Sequence, residues 1–248
     1  MNDCAEPADL LRLRQDLAAA FRICHRFGWS ESVGNHFSAA LSPCGRKFLL
    51  NRKWQHFGSI RASDLMVVNA DDPDVMNRPD APDASAWTVH GTMHRMLPNA
   101  RVILHCHSPY AVALSCLRDP TVLPLDNNTA RFFGRTAYDL SFGGIADAEE
   151  EGARLANAIR GHSVLVMGNH GVSVVGETVA DAFEDLYFFE KAAQTIVLGL
   201  STGKPLAVLS DEVAQATAEG WKPYRGMAQR HFDYLKSELD AADPSWRD

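Results

Sequence analysis

The stretch from Leu97 to Leu117 constrains this chain more than any other. Pro98-Asn99 stops one helix, Arg101 to Cys106 (Arg-Val-Ile-Leu-His-Cys) is a short apolar run, and Ser108-Pro109 opens the next helix. An apolar run of that length, closed off at both ends, reads as a buried strand. Serine is a good N-cap, and proline suits the first helical position because its missing N–H has no partner there anyway. A buried strand between two helices needs a sheet with helices packed on it. The run also sets His105 and His107 at the strand's end. Strand side chains alternate faces, so the two imidazoles share one face and Cys106 points to the other, into the core.

The rest of the chain fits such a layered body. Leu10, Leu13, Leu17, Phe21 and Cys24 recur at helical spacing, ended by Gly28. Short β-like runs follow at Phe37 to Leu41, Lys47 to Asn51 and Leu65 to Asn69. Pro73 to Pro82 is rich in proline and aspartate and reads as an exposed loop, and Ala84 to Leu97 as a helix. Asp147 with Glu150 forms a capping box for a helix to Ile159. Val164 to Met167 and Val172 to Val175 read as a hairpin turning at Gly168-Asn169-His170-Gly171. Thr178 opens a long amphipathic helix to about Leu200, closed by Gly203 and Pro205, and the last forty residues are of mixed character. We expect one α/β domain spanning 1–248, with a core of about 10–203, a helical extension of about 204–240, and a mainly antiparallel sheet.

Composition narrows the function. With 248 residues, 46% hydrophobic and 22% charged, the chain can bury a full core. Its formal net charge of −7 argues against a nucleic-acid or anionic-membrane binder, both of which need a basic face. No window holds the roughly 18 uninterrupted apolar residues of a membrane span. Asp3, Glu6 and Asp9 stand where a signal segment would be basic, and the five cysteines form neither a C-x-x-C pair nor a disulfide framework. The expectation is a reduced, cytoplasmic protein whose partner is a small molecule.

The histidines suggest its chemistry. Neutral imidazole is a common ligand for zinc and also suits iron, manganese and cobalt. An H-x-H pair alone is also what two unrelated histidines at a sheet edge would produce. His170 adds a third candidate, in a turn where Gly168 and Gly171 let the backbone approach closely. Three facing histidines with open positions make a catalytic rather than a closed structural site.

Asn-His-Gly at 169–171, His-Cys-His-Ser-Pro at 105–109 and Gly34-Asn35-His36-Phe37-Ser38 together resemble the class II aldolase/adducin superfamily, from about Leu11 to Leu200. The resemblance implies a three-layer α/β/α fold, a homo-oligomer (usually a tetramer) with sites at subunit interfaces, and one divalent metal per chain on His105, His107 and His170. Zinc or manganese is favoured over iron or cobalt. Where the aldolases carry an acid/base glutamate before a Trp-x-x-His segment, this chain has Ala86, followed by Trp87 and His90. His90 is then a candidate proton donor or outer ligand, although packing explains it as well. Asn51-Arg52-Lys53-Trp54 replaces a phosphate-binding loop, and its two cations beside an indole suit a carboxylate, possessing the option of a flat ring. By the same resemblance Asn35, Ser85 and Asn128 contact substrate and Arg131 clamps an anion; Tyr224, beyond the matched stretch, is a candidate to reach a neighbour's site. A solvated basic turn and a helix-surface arginine remain open readings of the basic residues.

An alanine at position 86 harms a decarboxylase less than an aldolase, because decarboxylation needs no base to start it. The expected function is therefore a metal-dependent carbon–carbon lyase acting on a small hydroxylated or oxo carboxylic acid, with decarboxylation favoured. Retro-aldol cleavage, a three-histidine iron oxygenase and an inert adducin-like interaction domain are the alternatives.

Overall fold

The computed structural model describes residues 9–72, 74–141, 149–224 and 226–248. Helix α1 (Leu10–Arg26) is capped by Asp9, which accepts from Arg12 N, and ends where Gly28 takes φ +74°. Strands β1 (His36–Ala40), β2 (Lys47–Leu50) and β3 (Met66–Asn69) follow, then α2 (Ala84–Met96) and β4 (Val102–Cys106). Next come α3 (Pro109–Ser115), the short α4 (Asn127–Ala130), β5 (Thr136–Asp139), α5 (Glu149–Ile159), β6 (Val164–Met167) and β7 (Gly171–Gly176). Three helices close the chain: α6 (Val179–Ser201), α7 (Asp211–Trp221) and α8 (Gly226–Ala242). The expected capping residue Asp147 lies outside the described residues.

The seven strands form one sheet in the order β3-β2-β1-β4-β7-β6-β5. Every pairing is antiparallel except β5 with β6, which is parallel. The fold is the mixed α/β arrangement expected, and β5 is the strand that sequence reading missed. Its four residues, Thr-Ala-Tyr-Asp, bury only Ala137, so they carry no apolar pattern of their own. The extension of mixed character is resolved into α7 and α8, with α8 against α1 and α6. In the proline-rich loop a 3-10 turn, Val75–Asn77, buries Val75. The expectation of a wholly reduced chain fails at Cys44, which is disulfide-bonded, whereas Cys24, Cys106 and Cys116 are free.

Alternation divides the sheet into two faces. Phe37, Leu104, Cys106, Val166, Val172 and Val174 pack with α1 and α6 in the larger apolar cluster. Ile103, Leu165, Met167 and Val175 face the other way, against Val89 and Met93 of α2 and Leu155 and Ile159 of α5. These helix-sheet-helix layers bury the middle strand completely: every residue of β4 is buried.

The junction after β4 is held by a group far off in sequence. Ser108 sits at the N-cap of α3, but its hydroxyl makes no capping bond to the helix. It donates to Glu190 of α6 (2.6 Å), and the same carboxylate accepts from the backbone N–H of Tyr110 (2.8 Å) and Ala111 (2.9 Å). A buried carboxylate thus replaces the serine as cap, satisfying N–H groups that the helix itself cannot. Glu190→Ala leaves three donors, two of them buried, without a partner, and at about 1 kcal/mol each this costs about 3 kcal/mol of stability. Urea unfolding checks this, and a loss below about 1 kcal/mol would show that the cap is not needed.

Candidate metal centre

The antiparallel β4–β7 ladder pairs His105 with Ser173 and Cys106 with Val172, so the end of β4 meets the turn that carries His170. Gly171 makes the approach possible, because a Cβ there would stand 2.9 Å from the Cys106 carbonyl and 3.1 Å from His107 Cδ2. The rings of His105, His107 and His170 form a near-equilateral triangle with centroids 4.8–5.1 Å apart. Their ligand atoms all lie within 4.8 Å of one another.

Backbone and carboxylate acceptors fix which nitrogen His105 and His107 offer. His105 Nδ1–H donates to the Val172 carbonyl (3.0 Å), leaving Nε2 bare. His107 Nδ1 donates to Glu31 Oε2 (2.5 Å), and its Nε2 is buried without a hydrogen-bond partner. A histidine oriented through Nδ1 with a bare Nε2 is the form that binds metal, and an orphaned buried nitrogen is unfavourable unless something occupies the space before it. Burial keeps the His105 and His170 rings neutral. It pushes His170 down to about 4, with His107 adding to the effect, and holds His105 well below its ordinary value, helped by His36. The donor set fits one divalent ion.

The triad opens onto a cavity of about 660 Å³. Asn35, Lys53 and Ser85 are among the residues that line it. Ala86 does too, fully buried, so position 86 puts a methyl group on the wall. Asp83 is the carboxylate beside it. Burial alone would raise its pKa, but bonds from the Ser85 hydroxyl and the Ala86 and Ser85 N–H groups, together with His36, hold it below the usual carboxylate value. Trp54 lies at the cavity with its indole 73% exposed, and Lys53 Nζ sits 4.8 Å from the ring centroid. Among the described residues four non-glycine positions have positive φ, and three of them, Asn35, Trp54 and Asn169, line this cavity. Such conformations cost energy and concentrate where a surface is shaped for a ligand.

Other expected residues lie elsewhere. Arg52 is exposed and outside the cavity lining, its side chain having turned to solvent at the strand end. Arg131 is drawn 3.7 Å from Glu184 and stacked on Phe188 and Trp221, so it lines a second cavity together with Tyr224. The two cavities share no residue. Asn128 lines neither and packs in the first turn of α4, capped by Asp126. His90 is fully buried behind the cavity wall, with Nε2 2.6 Å from His36 Nδ1. His36, of the Gly34–Ser38 motif, lines the cavity beside the triad. Its signal was present in the strand period: His36 pairs with His105 across β1 and β4, so both point to one face.

The sequence profile of the Class II Aldolase and Adducin N-terminal domain family matches residues 15–197, and the chain belongs to that family. A protein of Caulobacter vibrioides named for aldolase class 2 is 31% identical over 82% of this chain and 78% of its own length. The crystal structure of an aldolase II superfamily protein from Pseudomonas syringae superposes with TM-score 0.87 at 28% identity, covering 98% of this chain and 97% of that one. More distant relatives carry varied names. Decarboxylase NovR of Streptomyces niveus is 27% identical over 68% of this chain and 64% of its own. A 4-hydroxy-3-prenylphenylpyruvate oxygenase/4-hydroxy-3-prenylbenzoate synthase of Streptomyces roseochromogenus is 26% identical over 68% and 63%. Alpha-adducin of Rattus norvegicus is 30% identical over 78% of this chain but 26% of its own length.

The buried imidazoles make stability depend on pH. His36, His94 and His170 have pKa values of about 4 in the folded chain against 6.5 ordinarily, so the unfolded chain binds more protons between those limits. Their contribution is fully present above about pH 6.5 and is lost as pH falls toward 4. Urea midpoints of the metal-free protein should fall steeply across that window, and a flat profile would contradict the burial of neutral rings.

Proposed function

We propose that the chain is a metal-dependent carbon–carbon lyase acting on a small hydroxylated or oxo carboxylic acid, with release of carbon dioxide favoured. The observation that carries this reading is a three-imidazole triad opening onto a cavity whose wall has Ala86 where the resemblance to aldolases leads one to expect a glutamate. A divalent ion held by His105, His107 and His170 would chelate substrate oxygens and stabilise the charge that develops on them.

The chain's own residues then orient the acid. Lys53 is the cation of the cavity lining and supplies a point charge for a carboxylate, while the Trp54 indole offers a flat apolar face. Asn35 Oδ1 and Asn51 Oδ1 are buried acceptors without partners, which favours a ligand bearing hydroxyl donors. Neither nearby carboxylate is free to act as a base, since Glu31 holds His107 and Asp83 caps α2. Loss of carbon dioxide needs an electron sink and a later proton rather than a starting base. The name of the Streptomyces niveus decarboxylase supports this choice.

A second reading has its own support. The relative named as an oxygenase suits an iron ion on the same three histidines, with open positions for oxygen. Retro-aldol cleavage would lack the glutamate base that the resemblance to aldolases leads one to expect, since Ala86 stands in its place. The retained triad weighs against an inert adducin-like domain. Assembly into a homo-oligomer belongs to the same proposal, and exposed Leu198, Leu200, Val213 and Tyr234 on the outer helices support it.

The purified protein should hold about one divalent ion per chain, and His105→Ala with His170→Ala should remove it, as read by elemental analysis. Full occupancy in the double variant would contradict the triad. A panel of hydroxy, oxo and hydroxylated aromatic acids, assayed for carbon dioxide, aldehyde and oxygen uptake, separates the three chemistries. On the acid that turns over, Lys53→Ala should lower kcat/KM about tenfold, or about 1.4 kcal/mol, while Arg52→Ala stays within about twofold. The reverse order would return the anion site to Arg52. Ala86→Glu should not raise native turnover, and a gain would mark the chain as an aldolase lacking its base.

A further inference from the structure

Behind the cavity wall runs a chain of buried polar side chains that the proposed chemistry does not use. His36 Nδ1 lies 2.6 Å from His90 Nε2, and His90 Nδ1 is hydrogen-bonded to Ser38 Oγ. Ser38 Oγ lies 2.7 Å from His94 Nε2, and His94 Nδ1 lies 2.6 Å from the Ala100 carbonyl. His90, Ser38 and His94 are all buried, and the one end of the chain that meets open space is His36, in the cavity lining.

The far end sets the direction of every bond. A carbonyl can only accept, so His94 carries its proton on Nδ1 and gives it to Ala100. A neutral His94 then has a bare Nε2, which must accept from the Ser38 hydroxyl. Ser38 has spent its single proton, so its oxygen accepts from His90 Nδ1–H. A neutral His90 accepts at Nε2 from His36 Nδ1–H. The remaining nitrogen of His36, Nε2, is left with a lone pair and no proton. The two rings farther from the triad are kept neutral by burial, which pushes His94 down to about 4 and holds His90 well below its ordinary value. Four bonds pointing one way form a fully satisfied buried network, which makes its polarity hard to reverse.

We infer that His36 is a specificity-determining residue of this cavity: a hydrogen-bond acceptor, held with a bare Nε2, for the hydroxyl group of a hydroxy-acid ligand. His90, Ser38 and His94 are positioning residues that act through it. His36 is not one of the triad. The triad's ligand atoms cluster without it, although its ring centroid lies 4.9 Å from that of His105. An acceptor at that distance suits a hydroxyl bound beside the triad rather than a bare carboxylate or an ether. A site built to accept a hydroxyl proton discriminates strongly against a ligand that lacks one, because the buried acceptor is then left unpaired. The ligand half of this inference rests on the substrate class proposed above, whereas the polarity of the chain does not.

The test has two arms. Long-range 15N–1H NMR of the metal-free protein reads the tautomer of each ring, and His36, His90 and His94 should all carry the proton on Nδ1. A proton on Nε2 of His36 overturns the inference. The second arm uses the zinc-loaded protein with glycolate and its methyl ether, methoxyacetate, as calorimetric probes. His36→Phe should weaken glycolate at least tenfold and leave methoxyacetate within about twofold. Equal loss for both probes would make His36 a packing residue, and a loss of zinc affinity beyond a hundredfold would make it a ligand. Either result overturns the inference. Ser38→Ala, which cuts the chain without touching the cavity, should let both His36 tautomers appear and weaken glycolate alone. If the wild type shows the expected tautomers but binds neither probe, the proposed substrate class fails and the chain's polarity stands.

Discussion

The register between β4 and β7 governs the rest of the site. His105 faces Ser173, and Cys106 faces Val172, so the last residues of β4 run into the turn that carries His170. A slip of one residue would turn His105 into the apolar layer and bring Cys106 to the cavity. The register is held from both sides, because Leu104 and Cys106 on one face and Ile103 on the other fill separate apolar clusters. The same ladder supplies the Val172 carbonyl that takes the His105 Nδ1 proton. Packing of the core and preparation of the ligand nitrogen are therefore one arrangement.

That arrangement repeats as a rule of polarity. Three cavity histidines are oriented through Nδ1: His105 by a backbone carbonyl, His107 by Glu31, His36 by His90 and the chain behind it. The result is a set of bare Nε2 atoms converging on a space bordered by Lys53, Trp54 and Ala86. Imidazoles, a methyl group at position 86 and a single ammonium give a wall with few anions, which favours an acidic ligand over a cationic one. The positive-φ residues Asn35, Trp54 and Asn169 lie around the same space, so the backbone cost of shaping it is concentrated where the ligand would bind.

Much of this was legible in the sequence because it follows from period and punctuation. The strand at Arg101 to Cys106, the glycine-bounded hairpin and the helix beginning at Ala84 all formed where their patterns put them. The triad followed from the two-residue strand period and the Asn-His-Gly turn. Other features were illegible for physical reasons. β5 is polar and exposed, and its parallel partner comes from later in the chain. Glu190 caps α3 from eighty residues away, which no local rule at Ser108 foresees. Arg131 looked like an anion clamp, but Glu184, Phe188 and Trp221 lie within reach of it, and their positions depend on how α6 and α7 pack. His36 needed the β1–β4 register, which sequence alone did not supply.

The central claim is that His105, His107 and His170 would hold one divalent ion through their imidazole nitrogens. X-ray absorption spectroscopy of the purified, metal-replete protein tests it most directly. The account predicts about three imidazole nitrogens at roughly 2.0–2.1 Å for zinc, with the remaining positions filled by oxygen. A sulfur shell at roughly 2.3 Å, or a shell of oxygens without imidazole scattering, would contradict it.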